Sequence, residues 1–348
     1  MSTRTAKIHT PSITSNTPIK IGGSLDKLVV VTPGVKSTTK NNLKKRSIAK
    51  RFTQLQTFDL MSVCNREDQE DLKMYNYYFR ANLCSDTVIE SNGKITSTYC
   101  NCRHCIVCGR IRTAKGINGY YPQMLKENKQ WYLLTLTKVS TSGDLIEKTF
   151  NDMYSTWRQF NKNWNKQNKL NKVKGIRKLE CNFNPLKNTY NPHYHIIVDS
   201  LEFAIALKEY WMQNDSRLDS KAQNIRLVTP GSDSLLEVFK YGTKPLSDKN
   251  RNTYQAHVIF KSLYGKNLFY PFGGLKKIAE DVDDIISQES DADITEKTQY
   301  RFSSEFVDWI SEDGELLHQL RHRYKDLKKV DRWAKTQRHK INKLTNSK

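Results

Sequence analysis

Two strand-forming runs placed close together constrain this chain more than anything else in it. Ile176–Phe183 and Pro192–Val198 are separated by a segment containing Asn184, Pro185 and Asn188. Runs of this kind bounded by turn residues read as a β-hairpin, so the middle of the chain is expected to hold antiparallel sheet. Trp131–Thr137 (WYLLTLT) is almost uninterrupted in strand formers, as a buried interior strand would be. Behind an Asp144…Glu147 capping-box signal, Ile146, Phe150, Met153, Trp157, Phe160 and Trp164 recur at helical spacing. Phe203–Met212 reads as a second amphipathic helix and Asn224–Thr229 as a strand. Pro230-Gly231 then breaks the strand, and Ser234…Glu237 caps a third helix. Strand, helix, hairpin, helix, strand, helix predicts an α+β fold with helices laid over an antiparallel sheet.

The second hairpin strand carries His193-Tyr194-His195. Residues at i and i+2 of a strand project from one face roughly 7 Å apart, so both imidazoles can reach one metal ion. A hairpin loop centred between Pro185 and Tyr190 sets Glu180 opposite His195, making Glu180 the expected third ligand; a slip of one residue would turn it to the other face. Two imidazoles and a carboxylate with open positions suit Mg²⁺ or Mn²⁺ at a phosphate, and such a set also accepts Zn²⁺. Downstream, Glu237 and Tyr241 are one helical turn apart, with Lys244 further along the same side. A phenol of pKa near 10 is a poor nucleophile until a metal or a lysine stabilises its phenolate, and a carboxylate one turn away can serve as a base for water.

Cys100, Cys102, Cys105 and Cys108 crowd a short stretch. Cys105 and Cys108 have knuckle spacing for tetrahedral Zn²⁺. Cys84 together with Cys100 or Cys102 completes a set of four, and His104 is a possible substitute. Arg103, Arg110, Arg112 and Lys115 lie beside this cluster and suit phosphate contact. The seven cysteines are an odd number, and with their clustering this speaks for a metal in a reducing compartment, the cytoplasm, over a disulfide framework. No apolar run reaches the ~20 residues of a membrane span, and the N-terminus lacks the apolar segment of a secretory signal.

Lys and Arg number 57 against 36 acidic residues, a net charge of +21. That balance favours a polyanionic partner, nucleic acid first. Four regions are expected: a basic, mobile extension (1–60, with a short strand at Lys27–Thr32), a cysteine-rich zinc-binding region (61–125), the α/β portion (126–278), and an acidic linker with a basic helical tail (279–348). The tail's apolar face would be Leu317, Leu320, Tyr324 and Leu327. No phosphate-binding loop of the G-x-x-x-x-G-K-[ST] type is present, so no intrinsic helicase is implied.

The ordered set WYLLTLT, LECNFN…NPHYHIIV and LLEVFKYGTK resembles the three motifs of plasmid rolling-circle replication initiators of the HUH endonuclease superfamily. The likeness is to the branch with one catalytic tyrosine and a glutamate one turn before it. TYCNCRHCIVCGRIRTAKG resembles the family's cysteine-rich stretch, and LYGKNLFYPFGGLKKIAED its ending, so the likeness runs from about Cys84 to Asp281. It implies an HUH-type antiparallel sheet with covering helices, preceded by a zinc-ribbon-like cysteine region. It also implies that His193 and His195 bind Mg²⁺ or Mn²⁺, that Tyr241 forms a 5′-phosphotyrosine, and that Glu237 activates water in the terminating cleavage. Glu180 matches the family's acidic position, and Asn191 stands where many relatives have a further histidine. The implied partners are plasmid origin DNA, single-stranded or as a hairpin, and a host helicase and DNA polymerase. A single-strand transposase or relaxase with the same site, and a non-catalytic zinc DNA-binding regulator, are the rival readings. A relaxase usually has its tyrosine ahead of the histidines, whereas Tyr241 follows them.

Overall fold

A computed structural model describes residues 40–91, 94–126, 129–170, 172–228, 238–239, 252–278 and 297–317, and near the C-terminus 327–328, 330–335 and 337. The α+β reading holds: the described strands form two antiparallel sheets.

The larger sheet contains β3 (Trp131–Thr137), β4 (Gly175–Asn184), β5 (Thr189–Val198), β6 (Asn224–Val228) and β7 (Phe269–Phe272), in the order β6-β3-β5-β4-β7. The hairpin forms where the turn residues predict. Asn184 Oδ1 accepts from the backbone amides of Leu186 and Lys187, and Asn188 takes a left-handed φ of 49°, a conformation asparagine tolerates. At the outer edge Gly273 ends β7 with φ +68°, and a Cβ there would meet the Val173 carbonyl oxygen at 1.9 Å. Glycine is required at that turn.

Strand alternation divides the side chains between two faces. Leu134, Leu136, Leu179, Tyr194, Ile196 and Val198 pack under α4 (Ile146–Gln167) and α5 (Leu201–Gln213), whose Phe150, Met153, Trp157, Phe203 and Trp211 complete the main core. The capping box expected at Asp144 is not made. Helix α4 starts with Leu145 as N-cap and no side-chain cap bond; the Asp144 carboxyl meets the Ser142 hydroxyl and the amides of Asp144 and Leu145. Helix α5 is capped by Ser200, which accepts from the Phe203 amide. The opposite face is partly covered as well. Trp131, Leu133, Ile176 and Ile197 pack there with Tyr120 and Met124 of α3 (Ile106–Lys126), with Leu275, and with Val238 and Phe239.

Ahead of the sheet, α1 (Lys40–Met61) and α2 (Gln69–Asn82) pack on each other and α1 on α3. Helix α1 begins inside the stretch expected to be an extension. Its buried positions mix Leu43, Ala49, Leu55 and Leu60 with Ser47, Lys50, Thr53 and Thr57, so no single apolar stripe shows in the sequence, and the polar members find internal partners. Lys50 Nζ donates to the Asn82 carbonyl at 2.6 Å and meets Asp86 at 3.0 Å. Thr53 and Thr57 return their hydroxyls to Ala49 and Thr53 carbonyls. The second sheet has the order β2-β1-β8-β9. It joins β1 (Thr87–Ser91) and β2 (Lys94–Ser97) to β8 (Thr298–Ser303) and β9 (Asp308–Ser311), from far along the chain. Leu317, expected on the face of a tail helix, instead follows β9 and packs with Leu43, Val88 and Trp309. Farther on, Val330, Trp333 and Ala334 are buried against Leu55 of α1. Leu320 and Tyr324, like the Lys27–Thr32 strand, lie outside the described residues.

Helix α6 (Thr253–Ser262) ties the two parts together through a buried chain. Tyr78 OH lies 3.0 Å from His257 Nδ1, and His257 Nε2 lies 3.2 Å from Asp71 Oδ1. Asp71 also binds Lys261 at 2.7 Å. No described helix is long and apolar enough to cross a membrane.

Candidate metal centres

The hairpin register pairs Glu180 with His193 and Lys178 with His195. This differs by two residues from the pairing expected from the sequence, because the loop closes on Asn184 and Thr189, one position earlier than assumed. A shift of two preserves the face, so Glu180 still meets both histidines. Its Oε2 lies 3.5 Å from His193 Nε2 and 3.3 Å from His195 Nε2, and the three ligand atoms lie within 4.8 Å of one another. Donors bound to one ion at ~2.1 Å stand roughly 3.0–3.5 Å apart, so the set has the spacing of a shared cation. Histidine and carboxylate donors with open positions fit such an ion.

Several neighbours hold the site in shape. His193 Nδ1 lies 2.9 Å from the Asn191 carbonyl oxygen, which can only accept. The ring proton is therefore on Nδ1, and the Nε2 lone pair is directed at the site. His195 Nδ1 is 3.2 Å from Thr135 Oγ1, on the neighbouring strand and in register with it. Lys178 Nζ takes the other carboxylate oxygen, Oε1 of Glu180, leaving Oε2 for the histidines. Burial by itself raises the Glu180 carboxyl. Polar contacts with the His193 and His195 rings and the Lys178 ammonium outweigh it and hold the group well below the usual carboxylate range, so the ligand is ionised. Both histidines are buried. Lys178 and Thr135 were not singled out in the sequence. Register is the signal that finds them, since each lies directly across the ladder from His195.

The second group is Cys84, Cys100, Cys105 and Cys108, again with ligand atoms within 4.8 Å of one another. Cys108 Sγ is 3.5 Å from Cys84 Sγ and 3.6 Å from Cys100 Sγ. Four sulfurs at 2.3 Å from a tetrahedral ion stand roughly 3.8 Å apart, which these distances approach. Backbone amides point at the sulfurs: Cys100 N at Cys84, Cys102 N at Cys100, and Cys108 N at Cys105. Hydrogen bonds from the Cys100, Cys105 and Cys84 thiols hold Cys108 far below the ordinary thiol range. The four soft donors thus fit a thiophilic ion. Cys102 and His104, the other candidates, stand outside the group. Cys102 Sγ faces Arg80 Nη2 at 3.6 Å, and His104 is buried among Tyr77, Tyr78 and Phe260.

Comparison with known proteins adds one relative. The chain is 27% identical over 144 residues to a curated Staphylococcus aureus protein named Protein rep. The match takes in 39% of this chain and 60% of that protein, less than two thirds of its length. It supports a Rep-type protein. No protein-family model matches the chain, and no solved structure matches it.

Glu237, Tyr241 and Lys244, the expected catalytic residues, lie outside the described residues. Their described neighbours Val238 and Phe239 are helical and buried. They pack with Leu133, Ile176 and Ile197, which alternation places on the same sheet face as Thr135, Lys178 and His195. Gly116 of α3 makes room for this segment, since a Cβ there would come within 2.9 Å of the Phe239 ring.

Proposed function

We propose that the chain initiates plasmid rolling-circle replication as a site-specific nickase, with Tyr241 as its nucleophile. The convergence of Glu180, His193 and His195 carries this reading. It is supported by the burial of Val238 and Phe239 on the same face, three and two residues before Tyr241. The similarity to a protein named rep supports it too.

A divalent cation held by these three residues, Mg²⁺ or Mn²⁺, would polarise the scissile phosphate. The chain's own groups do the rest. The Tyr241 oxygen attacks phosphorus, the bond to the 3′ oxygen breaks, and the 5′ phosphate stays on the tyrosine. Lys244 stabilises the phenolate as it forms, and the freed 3′ hydroxyl primes a host polymerase while a host helicase separates the strands. One tyrosine is consumed by one cut, so Glu237 acts as the base that lets water make the terminating cleavage. Zn²⁺ on the four cysteines is structural in this scheme.

A labelled single-stranded origin fragment with Mn²⁺ or Mg²⁺ tests the assignment. Tyr241→Phe is expected to abolish cleavage and covalent adduct together. Glu237→Ala is expected to keep the first attack and accumulate enzyme-bound or multimeric product. An adduct formed by Tyr241→Phe would remove Tyr241 from the role, and normal termination by Glu237→Ala would remove Glu237.

A further inference from the structure

Between the cysteine loop and the edge of the larger sheet lies a cavity of ≈ 210 Å³, lined by Asn101, Arg103, Arg112, Asn267, Leu268 and Phe269. Two guanidinium groups and no carboxylate stand among its lining residues. Their placement is fixed by backbone contacts. Arg103 Nη1 donates to the Leu263 carbonyl at 3.1 Å, and its own amide donates to Tyr77 OH at 2.8 Å. Arg112 donates to the carbonyls of Asn101 and Cys102. Asn101 is left-handed at φ 55° and lies between Cys100 and Cys102, so the wall of the cavity belongs to the loop that the cysteine group closes. On the other side, Leu268 is tied to β4 by the Leu179 amide at 2.8 Å.

The register relates this cavity to the histidines. Thr135, His195, Lys178 and Phe269 form one transverse row across β3, β5, β4 and β7. Residues in one such row share a face, and strands lie about 4.8 Å apart, so Phe269 stands two strands, about 10 Å, from His195 on the side of the metal ligands. A strand of nucleic acid crossing this face would pass from the Glu180–His193–His195 group directly to the two arginines. The volume is below the ~300 Å³ at which pockets for drug-sized ligands begin, which suits one phosphate and its sugar and leaves no room for a base pair.

We infer that this cavity grips a phosphodiester of single-stranded DNA flanking the bond placed at the histidines, with Arg103 and Arg112 on the phosphate and the half-buried Phe269 ring, which packs on Tyr120 and Phe239, beside the adjoining base. The inference rests on the nickase reading for its ligand. Guanidinium forks match phosphate oxygens, and an aromatic face accepts any base. The cysteine group acts here as the splint that holds one wall of the site.

The test measures binding without cleavage, in full-length Tyr241→Phe protein without added Mg²⁺ or Mn²⁺. The probe is a labelled oligothymidylate of about twelve nucleotides, within the range single-strand sites cover. Arg103→Gln/Arg112→Gln is expected to bind roughly tenfold or more weakly. Its slope of log affinity on log salt is expected to fall by about 0.7, because one phosphate contact on a single strand contributes about that much. Duplex of equal length is expected to show a smaller loss. In unsubstituted protein, oligothymidylate is expected to protect Arg103 and Arg112 from phenylglyoxal, read by peptide mass spectrometry, a result independent of how the variant folds. An unchanged slope in folded variant, an equal loss for duplex, or full modification of both arginines under bound oligonucleotide would overturn the assignment. Absence of cleavage and of covalent adduct with unsubstituted protein and Mg²⁺ or Mn²⁺ would strike the nickase reading and leave this binding result standing.

Discussion

His195 shows how much one side chain depends on a neighbour it does not share a function with. Its Nδ1 meets the Thr135 hydroxyl at 3.2 Å, and loss of such an outer partner typically costs 10–100-fold in metal affinity. Thr135→Val keeps the shape of the side chain and removes the hydroxyl, so Mn²⁺ affinity measured by calorimetry is expected to drop within that range while thermal stability changes little. An unchanged affinity would mean that packing alone holds the ring. At this scale the sequence was informative about identity and less so about pairing. His193, His195 and Glu180 could be chosen from their spacing, because a period of two fixes the face. The partner of each histidine could not, because the loop length sets the register and several turn geometries suit Asn184–Asn188. The cysteines behave alike: spacing offered five thiols, and the fold selects Cys100 over Cys102 by turning the loop at Asn101.

Among the elements, α6 carries the most consequential polar contact. His257 is buried between Tyr78, Cys64, Asp71 and Lys261. Burial lowers its pKa, and Asp71 opposes this without reversing it. The folded state therefore holds the neutral ring, and the unfolded chain takes up a proton near pH ~6.5. Stability contributed by His257 is present above that pH and is lost as pH falls below it, with a limiting slope of about 1.4 kcal/mol per pH unit. Urea denaturation at about pH 7.5, 6.5 and 5.5 is expected to show this loss, and His257→Gln to flatten it. An identical pH dependence in the variant would assign the loss to other groups. Elements with apolar stripes, α4 and α5, and the strands β3 to β6 were legible in the sequence. Helix α1 was not, because its buried positions mix Leu43, Leu55 and Leu60 with Ser47, Lys50, Thr53 and Thr57, a pattern without one apolar stripe until the partners of the polar members are known. The short strands β8 and β9 were missed for a related reason: they complete a sheet whose other half lies near the start of the chain.

On the scale of the whole molecule, the far end of the chain is part of the cysteine-bearing half. Trp333 Nε1 donates to Asp59 Oδ2 at 2.8 Å and Gln337 Nε2 to Asp59 Oδ1 at 2.9 Å, all three residues being buried. Trp333→Ala removes a large buried ring and leaves a buried carboxylate short of a donor, a change of the kind that costs about 3–5 kcal/mol. Its denaturation midpoint is expected to fall accordingly, and a shift within error would show that the C-terminal segment merely rests on α1. The pairing of Thr87 with Arg301 also has a bearing on synthesis. At ~5–20 residues per second, roughly 10–40 s pass between the appearance of β1 and that of its partner β8. Through that interval the nascent β1–β2 hairpin presents an open edge of the sort that recruits foreign strands, while the larger sheet, contiguous in the chain, is free to close. The speed of the ribosome, more than the depth of the native well, thus sets how long each new molecule is exposed to mispairing.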